Sequence, residues 1–88
     1  MRIKVQKIGE GLHHSEIVVE IKVVGGVERL VVAARAVKDN SILVGAPLAQ
    51  KGRGQVLVEL PRETMSGASR VWVKQDTLIE DKNEVRAA

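Results

Sequence analysis

Residues 16–32 read EIVVEIKVVGGVERLVV, and the meaning of the Gly25-Gly26 pair decides the fold. On its N-terminal side Ile17, Val19, Ile21 and Val23 alternate with Glu16, Glu20 and Lys22 around Val18, a period of two that belongs to a strand with one buried face. Two glycines between β-branched runs supply the positive φ that a two-residue hairpin turn needs. With Gly25 and Gly26 as the loop, Val24 faces Val27, Ile21 faces Leu30, Val19 faces Val32 and Ile17 faces Ala34, so apolar side chains oppose one another on a single face. The same register sets Lys22 beside Arg29, with Glu20 diagonal to relieve the repulsion. Val27, Leu30, Val31, Ala34 and Val37 also fit helical spacing; the hairpin pairs favour a strand, followed by a short helical turn in AARAVKD.

Outward from this hairpin the same pattern returns. Arg2 to Ile8 alternates and then slips, and GEGLHHS is a loop. Ser41 to Val44 is a short strand, and GAPLAQKGRG reads as a loop from its Gly and Pro content. QVLVEL at 55–60 alternates cleanly, with Val56, Val58 and Leu60 on one face, until Pro61 ends the ladder. RETMSGAS is a turn region, Arg70 to Lys74 is the last clear strand, and Asp76 is a candidate cap for a helical turn DTL. Residues 1–80 form one domain by this reading, and 81–88 a polar, frayed tail.

Composition agrees with strands, since 15 Val and 6 Ile make up nearly a quarter of the 88 residues. The chain has no cysteine, which excludes a disulfide scaffold, a thiolate nucleophile and a Cys-based zinc site. No run reaches the roughly 18 apolar residues of a membrane span. A cytoplasmic protein with no membrane association is the expectation. The net charge of +3 is modestly basic.

A weak repeat runs through the chain. VVEI at 18–21 resembles LVEL at 57–60, and LVVAARAV at 30–37 resembles VWVKQDTL at 71–78, each unit reading strand, turn, strand, helical turn. Duplication and a shared β pattern both account for it. The order QVLVELP, loop, SRVWV, KQDTL, IE over residues 55–81 resembles the closing half of SH3-like small β-barrels. That resemblance implies an all-β fold, a small antiparallel barrel or partly open barrel of five to six strands with one or two short helical turns. The aromatic groove of peptide-binding SH3 domains has no counterpart, because Trp72 is the only aromatic residue.

Motifs for catalysis are missing. His13 and His14 are adjacent and point apart in an extended segment, so they do not share a metal. Ser15 and Ser66 lack nucleophile-elbow spacing. Glu59, Glu63 and Asp76 form no carboxylate pair. KGRG at 51–54 lacks the spacing of a phosphate-cradling loop and reads as a hairpin connection. The expectation is a non-enzyme with no cofactor and no metal.

Trp72 shares its strand with Val71 and Val73, which match the inward set Val56, Val58 and Leu60. Pairing Leu60 with Val71 then turns Trp72 outward among Arg70 and Lys74, across from Glu59 and near Leu57. With Val18, Val24, Val27, Val31 and Ala33 outward on the first hairpin, this leaves either an interaction face or a second small core covered by Ile42 to Leu48 or by Leu78 and Ile79. The first reading is a protein interface at Trp72, Leu57, Val18 and Val31, for a second copy of the chain or a protein partner. Its alternative is single-stranded nucleic acid held by Lys51, Arg53, Arg70 and Lys74 with Trp72 stacking on a base.

Overall fold

A computed structural model describes residues 1–79, and they are all-β. The strands are β1 (Arg2–Lys4), β2 (Gln6–Glu10), β3 (Glu16–Val23), β4 (Gly26–Ala33), β5 (Ser41–Leu43), β6 (Ala49–Lys51), β7 (Gln55–Glu59), β8 (Arg70–Lys74) and β9 (Leu78–Ile79). Single 3₁₀ turns at Ala34–Ala36 and Gln75–Thr77 follow β4 and β8. Three antiparallel sheets result, ordered β5-β1-β9, β2-β3-β4 and β6-β7-β8, and none closes on itself. Among the described residues no helix is long and apolar enough to cross a membrane.

The alternation read from the sequence sets the interior. Ile17, Val19 and Ile21 of β3, Leu30 and Val32 of β4, Val56 and Val58 of β7, and Val71 and Val73 of β8 are all buried, joined by Ile3, Val5, Ile42, Val44 and Leu60. These fourteen residues, every one Val, Ile or Leu, form one core cluster shared by the three sheets. Val5 is the buried corner between β1 and β2, and its N–H donates to the Asn40 carbonyl at 2.8 Å.

The two halves of the chain correspond in the core and in the β3–β4 and β7–β8 ladders, whereas the flanking ladders differ by one residue: Gly9 pairs with Val18, but Ala49 and not Leu48 pairs with Leu57. Ile3, Val5, Ile17, Val19 and Ile21 recur 39 residues later as Ile42, Val44, Val56, Val58 and Leu60, and Leu30 and Val32 recur 41 residues later as Val71 and Val73, which accounts for the whole core. Cross-strand pairs follow the same rule. Glu16↔Ala33, Ile17↔Val32, Val18↔Val31, Val19↔Leu30 and Glu20↔Arg29 in β3–β4 match Gln55↔Lys74, Val56↔Val73, Leu57↔Trp72, Val58↔Val71 and Glu59↔Arg70 in β7–β8. Connecting bonds match as well: Ala34 N–H donates to Ser15 O at 2.8 Å and Gln75 N–H to Gly54 O at 2.7 Å, while Val5 donates to Asn40 and Val44 to Met1 at 2.8 and 2.9 Å. The two units meet where β1 and β5 run antiparallel with Ile3 opposite Ile42, so a local two-fold axis passes between these two side chains.

Several expectations are corrected. The first hairpin turns on Val24-Gly25, with Val23 opposite Gly26, Ile21 opposite Glu28 and Lys22 opposite Val27. Gly25 at φ +89° takes the second central position, where a type II turn requires positive φ. Relative to the expected register each pairing slides by two residues, which leaves every side chain on its face because the pleat repeats every two. The second hairpin slides in the same way: Val58 pairs with Val71, and Trp72 stands across from Leu57 rather than Glu59. GAPLAQKGRG is not all loop, since β6 lies within it. Ile8 is 41% exposed, because the β2–β3 ladder skips it between Lys7 and Gly9 in a bulge. Asp76 lies inside its 3₁₀ turn and makes no side-chain cap. The tail at 81–88 lies outside the described residues.

Candidate nucleic-acid interface

Parity along β8 settles where Trp72 goes. Val71 and Val73 are buried, so the indole stands on the outer face of the third sheet, half-buried and outside the core cluster. Ladder pairing puts Ala49, Leu57 and Trp72 in one row across β6, β7 and β8, and Lys51, Gln55 and Lys74 in the next row. Directly opposed residues share a face, so Lys51 and Lys74 flank the apolar row on the indole's side. The three-residue turn after Lys51 carries Arg53 between Gly52 and Gly54, both at positive φ, which makes 51–54 the plain hairpin connection expected.

Of the four cations singled out by sequence, three are uncommitted. Arg70 Nε lies 3.2 Å from Glu59 Oε2, so its charge is matched on the same face. Lys51, Arg53 and Lys74 make no ion pair among the described residues. The indole N–H likewise has no acceptor among them.

Val18 and Val31 occupy the equivalent positions of the first hairpin, half-buried on the outer face of the second sheet. They pair with each other, as Leu57 does with Trp72, so the four residues form two equivalent pairs on separate sheets. Val24 ties the first hairpin to the indole's strand, its N–H donating to Trp72 O at 2.8 Å.

The internal repeat supplies a comparison that strand periodicity alone could not. Within the β3–β4 and β7–β8 ladders equivalent positions share one cross-strand register, so a difference between them is not required by the ladder. On the first hairpin's outer face Glu16 and Glu20 balance Lys22 and Arg29. On the third sheet Glu59 balances Arg70, while Gln55 replaces Glu16, Lys74 replaces Ala33 and Trp72 replaces Val31. The third sheet thus has one acid fewer and a ring more, while its cations stay at two because Pro61 stands at the Lys22 position as Lys74 stands at that of Ala33; Lys51 and Arg53 lie beside them.

The other candidates are surface side chains. His13 and His14 are exposed in the loop after β2, and Ser66 Oγ donates to Glu28 Oε1 at 2.8 Å in a surface contact. Among the described residues no group of three His, Cys, Asp or Glu side chains is placed to hold a metal. Compared with known protein families, with curated proteins and with solved structures, the chain matches none.

Proposed function

We propose that this protein is a non-enzymatic, cytoplasmic binding module that holds single-stranded nucleic acid on the Trp72 face of its third sheet. The observation that carries the reading is the departure from internal symmetry at Gln55, Lys74 and Trp72, where the equivalent residues are Glu16, Ala33 and Val31. A half-buried ring beside the unmatched Lys51, Arg53 and Lys74 suits a base stacked on the indole and phosphates held by these cations, and such stacking contributes about 1–3 kcal/mol per base. In this reading the three sheets are segments of one partly open SH3-like barrel, supported by their common core and by the Val24–Trp72 and Gly45–Glu59 backbone bonds that join neighbouring sheets.

Self-association, or a protein partner at Trp72, Leu57, Val18 and Val31, is the second reading. It is favoured by the half-buried row at Leu57 and Trp72 and by β6, which has no strand on its outer edge among the described residues. Electrostatics favours the first. A symmetric contact sets a patch against its own copy, bringing Lys51, Arg53 and Lys74 against identical charges, whereas an anionic strand neutralises them.

Tryptophan fluorescence with single-stranded oligonucleotide at two salt concentrations, alongside sedimentation, tests the choice. Quenching that fades steeply with salt and is lost in Trp72→Ala is the expected result. Concentration-dependent assembly that Trp72→Ala abolishes, without quenching by oligonucleotide, replaces it with the second reading.

A further inference from the structure

A groove of about 700 Å³ lies where the first hairpin meets the end of β8. Its wall carries Lys4 from β1, Lys22 from β3 and Lys74 from β8, over apolar surface from Val5, Val23 and Val27. All three lysines are exposed and make no ion pair among the described residues. The acids on the wall are Glu20, whose Oε2 is engaged by Arg29 Nε at 3.1 Å, and Asp76. The free charge of the groove is therefore positive.

The internal repeat again separates what the fold needs from what it does not. At the matching positions of the other half, Lys4, Lys22 and Lys74 correspond to Leu43, Pro61 and Ala33, none of them charged. Three positions, drawn from both halves of the chain, thus carry the same charge around one concavity where their counterparts carry none. Lys74 also belongs to the Trp72 face, two residues along β8 from the indole and about 6.6 Å by strand rise.

We infer that this groove is the second part of the nucleic-acid site: a strand whose base stacks on Trp72 continues past Lys74 and sets its phosphates on Lys4 and Lys22. The inference rests on the Trp72 reading and extends it by a path and a minimum length. A probe of about 4 nucleotides engages the Trp72 face, and one of about 12 also fills the groove, within the 4–16 nucleotide range of small barrels.

Oligothymidylates of these two lengths, titrated into wild type and Lys4→Gln/Lys22→Gln while indole quenching is followed at several salt concentrations, test it. For the longer probe the salt slope in the double variant is expected to fall by about 1.4, since each phosphate contact to a single strand contributes about 0.7, and affinity at 0.1 M salt is expected to fall about 25-fold. Quenching by the short probe stays unchanged. An unchanged slope with the longer probe, in a variant that melts like wild type, overturns the groove and leaves the Trp72 site standing. Absence of salt-dependent quenching of wild type by either probe overturns both. Should the double variant fold poorly, Lys22→Gln alone carries the test, with an expected slope change of about 0.7.

Discussion

Ile3 stands directly opposite Ile42 in the antiparallel β1–β5 ladder, both of them essentially inaccessible to solvent. They are also each other's counterparts in the repeat, so the two units of the molecule meet through one residue contributed by each. The rest of the core extends from this pair on both sides as matched residues.

Truncating either isoleucine opens a similar hole in a similar place. Ile3→Ala and Ile42→Ala are each expected to cost about 2–5 kcal/mol, and by nearly equal amounts. Because the side chains face each other, the double variant should depart from additivity by roughly 0.5 kcal/mol or more. Urea unfolding of the three variants measures this, and a cost confined to one of the two residues would contradict the symmetric placement.

The matched pairs Glu20–Arg29 and Glu59–Arg70 have Nε–Oε2 distances of 3.1 and 3.2 Å on exposed faces. Water and salt screen such pairs, so each is expected to contribute about 0.2–1 kcal/mol. Double-mutant cycles in low salt and again near 1 M salt should show both couplings shrinking together. A coupling of several kcal/mol at either site would mean that the pair is far less exposed than its geometry indicates.

Gly25 and Gly26 look interchangeable in sequence and are not so in the fold. A β-carbon added at either would meet nothing within 4 Å, yet only Gly25 has positive φ, at +89°. Gly25→Ala is therefore expected to cost about 1–2 kcal/mol through backbone strain alone. Gly26→Ala should stay within about 0.5 kcal/mol. Thermal melts of the two variants decide, and the reverse order would place the turn one residue later.

At Gly11 the constraint is steric. A β-carbon there would lie 2.6 Å from Glu16 Cβ and 3.1 Å from the Glu16 carbonyl carbon, where the Gly11 N–H donates to Glu16 O at 2.9 Å. Gly11→Ala should destabilise by about 1–3 kcal/mol, as overpacking commonly does. Protection of the Gly11 amide from hydrogen exchange should fall with it. Unaltered protection would show that the loop closes without the close approach.

On the Trp72 face, Lys51→Gln/Arg53→Gln removes two cations that no described acid matches. Binding of single-stranded oligonucleotide should weaken with a salt slope lower by about 1.4, and melting should hardly change. The measurement is the same indole titration. Unchanged affinity would leave these cations as solvated surface charge.

Much of the fold was legible because strand alternation is local. Burial of Val56, Val58, Val71 and Val73, the outward Trp72, and the helical turns after β4 and β8 all follow from a period of two and its interruption. The strand β6 was not legible, since Ala49-Gln50-Lys51 has no β-branched residue and is held only by pairing with β7. The cations of the Trp72 face could be named from sequence. Lys4 and Lys22 could not, although aligning the chain on itself at an offset of 39 would have set them against Leu43 and Pro61.

Which side of each strand faces inward could be read from residue alternation, because one side chain's direction fixes its neighbours' through the pleat. Register came from long-range packing, since a slide of two residues preserves every face and costs nothing in local pattern. It is the bond from the Val24 N–H to the Trp72 carbonyl, between residues 48 positions apart, and the direct opposition of Glu20 to Arg29 that accompany the register adopted. The groove of Lys4, Lys22 and Lys74 belongs to that level too: long-range packing assembles it from three strands, and no short stretch of chain contains it.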